Sequence, residues 1–336
     1  MAVDVEKSDQ THPASGSQGT LQIVVPVYND WDSVKALAPI IDNVLHHQGL
    51  RARLLLIDDG AARFSMGDWK TQFSAIDSVR ILTLKRNLGH QRAICVALAW
   101  LSQQSDAETI LVMDGDGEDD PADIPRLIAE LNDDPQAQIV FAERTKRSEG
   151  LIFRFCYSAY RMLHLLLVGQ RVRVGNFSAM NRRCLESLCT CSESWNHFAA
   201  AAFASRQQMT FVPTERATRL AGRSRMNFTS LVMHGLSALS VFSDRISTRL
   251  LLGSGIAASV TILAMAAVTV IRFATGLAIP GWASNVFGFL LILLMQIGTF
   301  MFLFSFLVLS SRGVGTFLPI RDYHFFVAGV DEVNCD

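Results

Sequence analysis

The sequence predicts an α/β domain with a largely parallel sheet, followed by a pair of membrane-crossing helices. Three observations carry this. Between residues 20 and 145, short β-branched runs alternate with helix-like stretches, the pattern of strands joined by helical crossovers. Those runs are apolar almost throughout, as strands covered on both faces are. Beyond residue 249, two long stretches carry no charge at all, and each is long enough to cross a bilayer.

The elements follow in chain order. Strands are predicted at Leu21–Val27, Arg53–Ile57, Val79–Leu84, Thr109–Met113 and Gln138–Ala142. Helices are predicted between them at Ser33–His47, Gln91–Gln103 and Ala122–Leu131. From Met226 to Ile246, Phe228, Leu231, Val232, Leu236, Leu239 and Phe242 recur at helical spacing, which suits a helix lying at a membrane interface. The spans are Leu250–Ile271, about 22 residues, and Val286–Leu309, whose one strongly polar member is Gln296. A short connection, Arg272–Asn285, closes the hairpin.

Arg245 and Arg249 precede the first span, and Arg312 and Arg321 follow the second, whereas the connection holds only Arg272. The positive-inside rule therefore places both termini and the soluble domain in the cytoplasm of a multi-pass inner-membrane protein. The first residues carry Asp4, Glu6 and Asp9 with no apolar run, unlike an export signal. The organisation read from the chain is a disordered tail (1–19), a soluble domain (20–225), a juxtamembrane amphipathic helix (226–249), a transmembrane hairpin (250–311) and a cytoplasmic tail (312–336).

Composition excludes several classes. Half of the 336 residues are hydrophobic and 18% are charged, too apolar for a disordered chain. A net charge of −1 lacks the basic excess of a nucleic-acid binder. Six scattered cysteines do not make a disulfide scaffold, and the Cys189–Cys191 pair has no second pair at zinc spacing.

In open α/β sheets, ligands bind beyond the carboxyl ends of the strands. The polar motifs fall there: Tyr28-Asn29-Asp30, Asp58-Asp59-Gly60, Asn87 to Gln91, and Asp114 to Asp120. No Gly-x-Gly-x-x-Gly follows the first strand and no Walker A sequence occurs, so a phosphate-bearing ligand must be held in another way. The run Asp114-Gly115-Asp116-Gly117-Glu118-Asp119-Asp120 offers carboxylates at alternate positions for a hard cation such as Mg²⁺ or Mn²⁺. It is not a calcium-binding helix–loop–helix: Asp119 stands where that loop needs glycine, and Pro125 where it needs glutamate. The competing use of the same residues is an acidic turn in which Asp119 or Asp120 caps the helix beginning near Pro121.

These residues resemble a known family. Val25-Pro26-Val27-Tyr28-Asn29-Asp30, Ile57-Asp58-Asp59-Gly60, Arg86-Asn87-Leu88-Gly89-His90-Gln91 and Met113-Asp114-Gly115-Asp116, followed by Arg219-x-x-Gly222-x-Ser224-Arg225 and the hairpin, are similar to family-2 glycosyltransferases of GT-A fold. Within that family, the likeness is to the dolichyl- or polyprenyl-phosphate sugar synthases. It implies a metal-dependent, inverting hexosyltransferase that moves a sugar from a nucleotide-sugar donor to a polyprenyl phosphate (undecaprenyl or dolichyl). The bilayer is the further partner, with homo-oligomerisation left open.

The resemblance also implies roles. Pro26, Tyr28 and Asp30 line the nucleotide pocket, and Asp58 or Asp59 recognises the base. Asp114 faces the nucleotide and belongs, with Asp116 and Glu118, to the metal environment. Arg144, Arg219 and Arg225, with Asp116, act on the diphosphate and the acceptor phosphate, whose oxygens Arg binds bidentately. His90, Arg154, Asn176 and Ser224 are further candidates for sugar or acceptor contacts. The chain departs from the family pattern at Ala61-Ala62-Arg63, where Ser-x-Asp is usual, and at Asn176, where relatives of the membrane branch often carry Asp. A phosphate acceptor is already anionic near neutral pH and needs no general base, whereas a hydroxyl acceptor does. Asn176 and the lack of a Gln-x-x-Arg-Trp motif therefore favour the phosphate. A transferase acting on a glycolipid hydroxyl is the alternative, and a non-catalytic membrane scaffold retaining the fold is another.

Overall fold

A computed structural model describes residues 20–60, 72–134, 136–144, 162, 165–169, 174–221, 228–275, 279, 281–312 and 317–333. Ala61, Arg154, Ser224 and Arg225 lie outside the described residues, as does the side chain of Arg144.

Strand β1 (Leu21–Val27) lies between β2 (Ala52–Asp58) and β4 (Thr109–Val112), parallel to both, and β2 is parallel to β3 (Ile76–Leu84). The crossovers are helices α1 (Trp31–His47) and α2 (His90–Gln104). Side chains along β1 show the two-residue period of a strand covered twice. Ile23, Val25 and Val27 face α1 and α3 (Ile124–Asp133), whereas Val24 faces α2. The predicted parallel α/β core is present, with boundaries shifted by a few residues.

Three strands were not anticipated. β6 (Val174–Asn181) runs antiparallel between β4 and β5 (Ile139–Arg144), β7 (Met209–Thr214) adds parallel to β5, and β8 (Val327–Val333) adds antiparallel to β3. The full order is β7-β5-β6-β4-β1-β2-β3-β8. β7 contains Pro213 and β8 carries Asp331 and Glu332, features of edge strands that blur a strand signal. Helices α4 (Arg182–Cys189) and α5 (Phe198–Ala204) cover the α2 face. Cys95, Cys184, Cys189 and Cys191 are free thiols, and burial pushes Cys184 and Cys189 up to about 12.

The helix expected over 226–249 is divided. α6 (Phe228–Ser240) ends at a turn, and α7 (Ser243–Ala274) starts before the predicted span, with Asp244, Arg245 and Arg249 in its first two turns. At 1.5 Å per residue, a helix of 32 residues is about 48 Å long and exceeds a hydrocarbon core of about 30 Å. A helix of this length can cross such a core with these charged turns outside it. α8 (Trp282–Arg312) is the second candidate span, and both are long and apolar enough to cross. The tail expected over 312–336 is also corrected. After α8, the short α9 (Pro319–Asp322) and β8 bring residues 317–333 back onto the sheet, where Trp195 packs against Phe317 and Phe326. Because β8 pairs with β3, both ends of the hairpin are held by the same domain.

Candidate active site

The first motif leaves β1 at its carboxyl end. Pro26 is buried within the strand, Tyr28 is exposed, and Asn29 adopts a left-handed φ of 51° that turns the chain into α1. Asp30 precedes α1, and its Oδ1 accepts from the Ser33 hydroxyl at 2.8 Å. Its Oδ2 pairs with the Arg219 guanidinium.

The second motif holds the third in place. Asp58 and Asp59 are both buried. The Asp59 oxygens accept the main-chain N–H groups of Leu88 and Gly89 at 2.7 and 2.9 Å. Burial pushes the Asp59 carboxyl up from its ordinary value, opposed by those two bonds. Gly60 has φ +73°, and a Cβ there would sit 2.5 Å from the Asn87 nitrogen, so glycine permits the close approach of the two loops.

The third motif opens α2 at His90, whose Nε2 lies 3.1 Å from Asp114 Oδ1. Burial disfavours a charged imidazole, but the Asp114 carboxylate, with Asp119 and Asp59, outweighs it and the His90 pKa is raised. Asn176, on β6, is buried between these groups. Its Oδ1 accepts from Gln91 Nε2 at 2.9 Å, while its Nδ2 lies 2.8 Å from His90 Nε2 and 3.4 Å from Asp114 Oδ1. A carboxylate in its place would meet Asp114 as a like charge; the amide donates to it instead.

The acidic loop after β4 is folded on itself. Asp114 N–H donates to Asp119 Oδ2 at 3.0 Å, and Glu118 N–H to Asp116 Oδ1 at 3.0 Å. Asp120 caps the turn Pro121–Asp123 by accepting from Ala122 N–H at 2.9 Å. Capping thus falls to Asp120, while Asp119 braces the loop. Residues 215–221 lie over this turn. Ala217 N–H donates to the Glu118 carbonyl and Leu220 N–H to the Asp116 carbonyl, each at 3.0 Å. Gly117, at φ +81°, leaves the space beneath Leu220 that any Cβ would invade at 2.4 Å. Arg219 Nη1 reaches Asp116 Oδ2 at 2.9 Å, and Arg216 pairs with Glu118.

Side-chain contacts thus join Asp30, Arg219 and Asp116 in one set and His90, Asn176 and Asp114 in another at one edge of the sheet, with Glu118 tied to Asp116 through its N–H and Asp58 and Asp59 alongside. Among the described residues, no three His, Cys, Asp or Glu side chains converge as a preformed metal cage. The donors still suit a hard divalent ion, which takes one or two carboxylates and completes its shell with water and phosphate oxygens. In this structure the Arg219 guanidinium compensates the charge of Asp116.

Arg216, Gln91, His197 and His234 enter the arrangement without having been assigned roles from sequence. Arg216 stands one helical turn's spacing before Arg219, and Gln91 closes the third motif, so both carried a weak signal. The histidines carried none.

Comparison with known proteins assigns the chain to a family. Residues 22–189 match the family model of Glycosyl transferase family 2. Undecaprenyl-phosphate 4-deoxy-4-formamido-L-arabinose transferases of Salmonella typhimurium and Salmonella paratyphi A are each 29% identical over 276 residues, 79% of this chain and 79% of theirs. Among solved structures, glucosyl-3-phosphoglycerate synthase from Mycobacterium tuberculosis, in complex with Mn²⁺, UDP-glucose and phosphoglyceric acid, is 16% identical with a TM-score of 0.49. That match covers 68% of this chain and 80% of the other. The family's model runs from β1 to α4 and takes in the strand ends that carry the first four motifs, and the chain belongs to glycosyl transferase family 2.

Proposed function

We propose that this enzyme transfers a sugar from a nucleotide-sugar to a polyprenyl phosphate held in the membrane, giving a lipid-phosphate-linked sugar with inverted anomeric configuration. The observation that carries this reading is the ion pairing at the strand ends, where Arg219 bridges Asp30 and Asp116. A diphosphate and its cation present complementary charges to both partners. The membrane hairpin and the similarity to undecaprenyl-phosphate transferases support the acceptor.

In the proposed reaction, an oxygen of the acceptor phosphate attacks the anomeric carbon. The bond from that carbon to the diphosphate breaks, and the nucleoside diphosphate leaves with the electron pair. Pro26, Tyr28, Asp30 and Asp58 bind the nucleotide, and Asp59 keeps the third-motif loop in place beside them. Asp114, Asp116 and Glu118 would hold Mg²⁺ or Mn²⁺, which neutralises charge on the departing diphosphate. Arg219, with Arg144 and Arg225, binds phosphate oxygens, and His90 and Asn176 border the sugar. A phosphate monoester is largely ionised at neutral pH, so the neutral Asn176 amide suffices where a hydroxyl acceptor would demand a base. The soluble domain and both termini face the cytoplasm, on the side of the donor.

The test is incubation of membranes with a panel of labelled nucleotide-sugars and either undecaprenyl phosphate or undecaprenol. Acid-labile labelled lipid should form from the phosphate and not from the alcohol. Equal transfer to the alcohol would overturn the acceptor, turnover in excess EDTA would overturn the metal, and a periplasmic reporter beyond β8 would overturn the orientation.

A further inference from the structure

α6 carries the chain from the soluble domain to the first span, and its two sides differ. Val232, Met233 and Leu236 are exposed, whereas Ala238 and Val241 pack with Ala200, Phe203 and Ala204 of α5 and with Val168. A polar contact sits in this apolar seam. His234 Nε2 lies 3.2 Å from Nε2 of His197, the residue that precedes α5, with ring centroids 4.6 Å apart. His197 Nδ1 accepts the Ala200 N–H at 3.3 Å, which leaves its proton on Nε2. His197 Nε2–H is therefore the donor to His234.

The contact continues into the active site. Phe198 N–H, next in the chain, donates to Gln91 Oε1 at 2.8 Å. Gln91 Nε2 donates to Asn176 Oδ1, and Asn176 Nδ2 reaches His90 and Asp114. Hydrogen bonds, linked through the His197–Phe198 peptide, thus lead from α6, the helix before the first span, to the carboxylate beside the proposed donor site.

We propose that His234 is a positioning residue, whose hydrogen bond with His197 holds α6 in register with the Gln91–Asn176–His90–Asp114 chain and so sets where a lipid-borne acceptor meets the donor. This rests on the proposed membrane phosphate acceptor. Apolar packing alone would tolerate sliding or rotation of α6, whereas a part-buried polar pair set in an apolar seam is satisfied in one register. The pair also has a pH limit. Burial, with the charge of His234 nearby, lowers His197 to about 3, and burial lowers His234, opposed by Asp114; His90 lowers both. Folded values below the free value of about 6.5 mean that docking is complete above it and weakens as pH falls toward the folded values.

The experiment uses the full chain in phosphatidylethanolamine–phosphatidylglycerol nanodiscs containing undecaprenyl phosphate, comparing wild type, His234→Phe and His234→Gln. Hydrogen exchange in 228–240, corrected for intrinsic rates, reads docking without any need for turnover. His234→Phe should lose protection and His234→Gln, whose carbonyl still accepts from His197, should keep it. Wild type should lose protection between pH 7 and 5, and His234→Gln should lose less. With the donor found in the panel, His234→Phe should raise the KM for undecaprenyl phosphate about tenfold, the scale of an unsatisfied buried donor, with donor KM changed less than twofold. Unchanged protection in His234→Phe would overturn the contact. Altered protection without a rise in acceptor KM would overturn its positioning role. Normal exchange behaviour with no transfer to undecaprenyl phosphate by any variant would instead locate the failure in the acceptor reading.

Discussion

Asp59 and Asp116 follow β2 and β4, the two neighbours of β1, and both are braced at the same edge of the sheet. Asp59 gives its two oxygens to main-chain N–H groups of Leu88 and Gly89. Asp116 takes one main-chain N–H, from Glu118, and offers its other oxygen to the Arg219 guanidinium. Main-chain partners leave only if the loop itself comes apart. A guanidinium on a long side chain can give way to a cation or follow a phosphate without disturbing the strand. Two aspartates of equal prominence in the sequence thus differ in their partners, main chain for Asp59 and a long side chain for one oxygen of Asp116.

The largest effect that would sharpen this contrast is expected at Asp116. Asp116→Asn keeps an acceptor for the Glu118 N–H but removes the charge, and should reduce transfer on the order of a thousandfold, the several kcal/mol of a lost metal contact. Its melting temperature should stay close to that of wild type. A thermal midpoint that collapsed with activity would make Asp116 a brace as well.

Asp59→Ala should act the other way round. Two buried N–H groups lose their acceptor, at about 1–3 kcal/mol each, offset in part because the buried carboxylate is itself held in its charged form at a cost. Denaturant unfolding should show the loss, and Asp59→Asn, with one acceptor oxygen, should fall between. Wild-type stability in Asp59→Ala would break the comparison.

The same contrast explains how much could be read without coordinates. The central strands were readable because β1, β2 and β4 are almost wholly buried and are apolar but for Gln22, Arg53, Asp58 and Thr109. The edge strands β7 and β8 were not, since Pro213, Asp331 and Glu332 suit strands paired on one side. At the site, the grouping of the motif residues at one edge of the sheet was readable because each motif directly follows an apolar strand. Which carboxylate oxygen meets main chain and which meets a guanidinium was not. That depends on Leu88, Gly89 and residues 215–221 arriving from elsewhere in the chain. His197 and His234 were invisible for the same reason: 37 residues apart, they meet only through the packing of α6 on α5.

Arg219→Ala should separate two consequences of one contact. Transfer should fall about 10- to 150-fold if a charge-assisted hydrogen bond of 1.5–3 kcal/mol is lost in the transition state. Binding of Mn²⁺ without nucleotide should tighten, because the ion no longer displaces the guanidinium from Asp116. Isothermal titration or Mn²⁺ electron paramagnetic resonance reads the second effect independently of the first. Weaker Mn²⁺ binding would mean that Arg219 supports the carboxylates and does not compete at them.

The smallest effect is expected three residues earlier, at Arg216. Its partner Glu118 lies on the same loop as Asp116, but the pair is more open to water, with side-chain exposures of 46% and 20% against 20% and 21% for Arg219 and Asp116. Exposed ion pairs are worth about 0–1 kcal/mol. Arg216 also lacks the bridging geometry, since Arg219 ties Asp116 to Asp30 at the start of α1, whereas Arg216 closes a contact within neighbouring loops. Arg216→Ala should therefore leave stability unchanged and slow transfer less than about fivefold, the kinetic equivalent of 1 kcal/mol. The two main-chain bonds from Ala217 and Leu220 should keep residues 215–221 seated over the acidic turn in that variant. If Arg216→Ala instead matched Arg219→Ala in both transfer and Mn²⁺ affinity, the loop would act as one cationic cover, and the special role given to the Asp30–Arg219–Asp116 bridge would be lost.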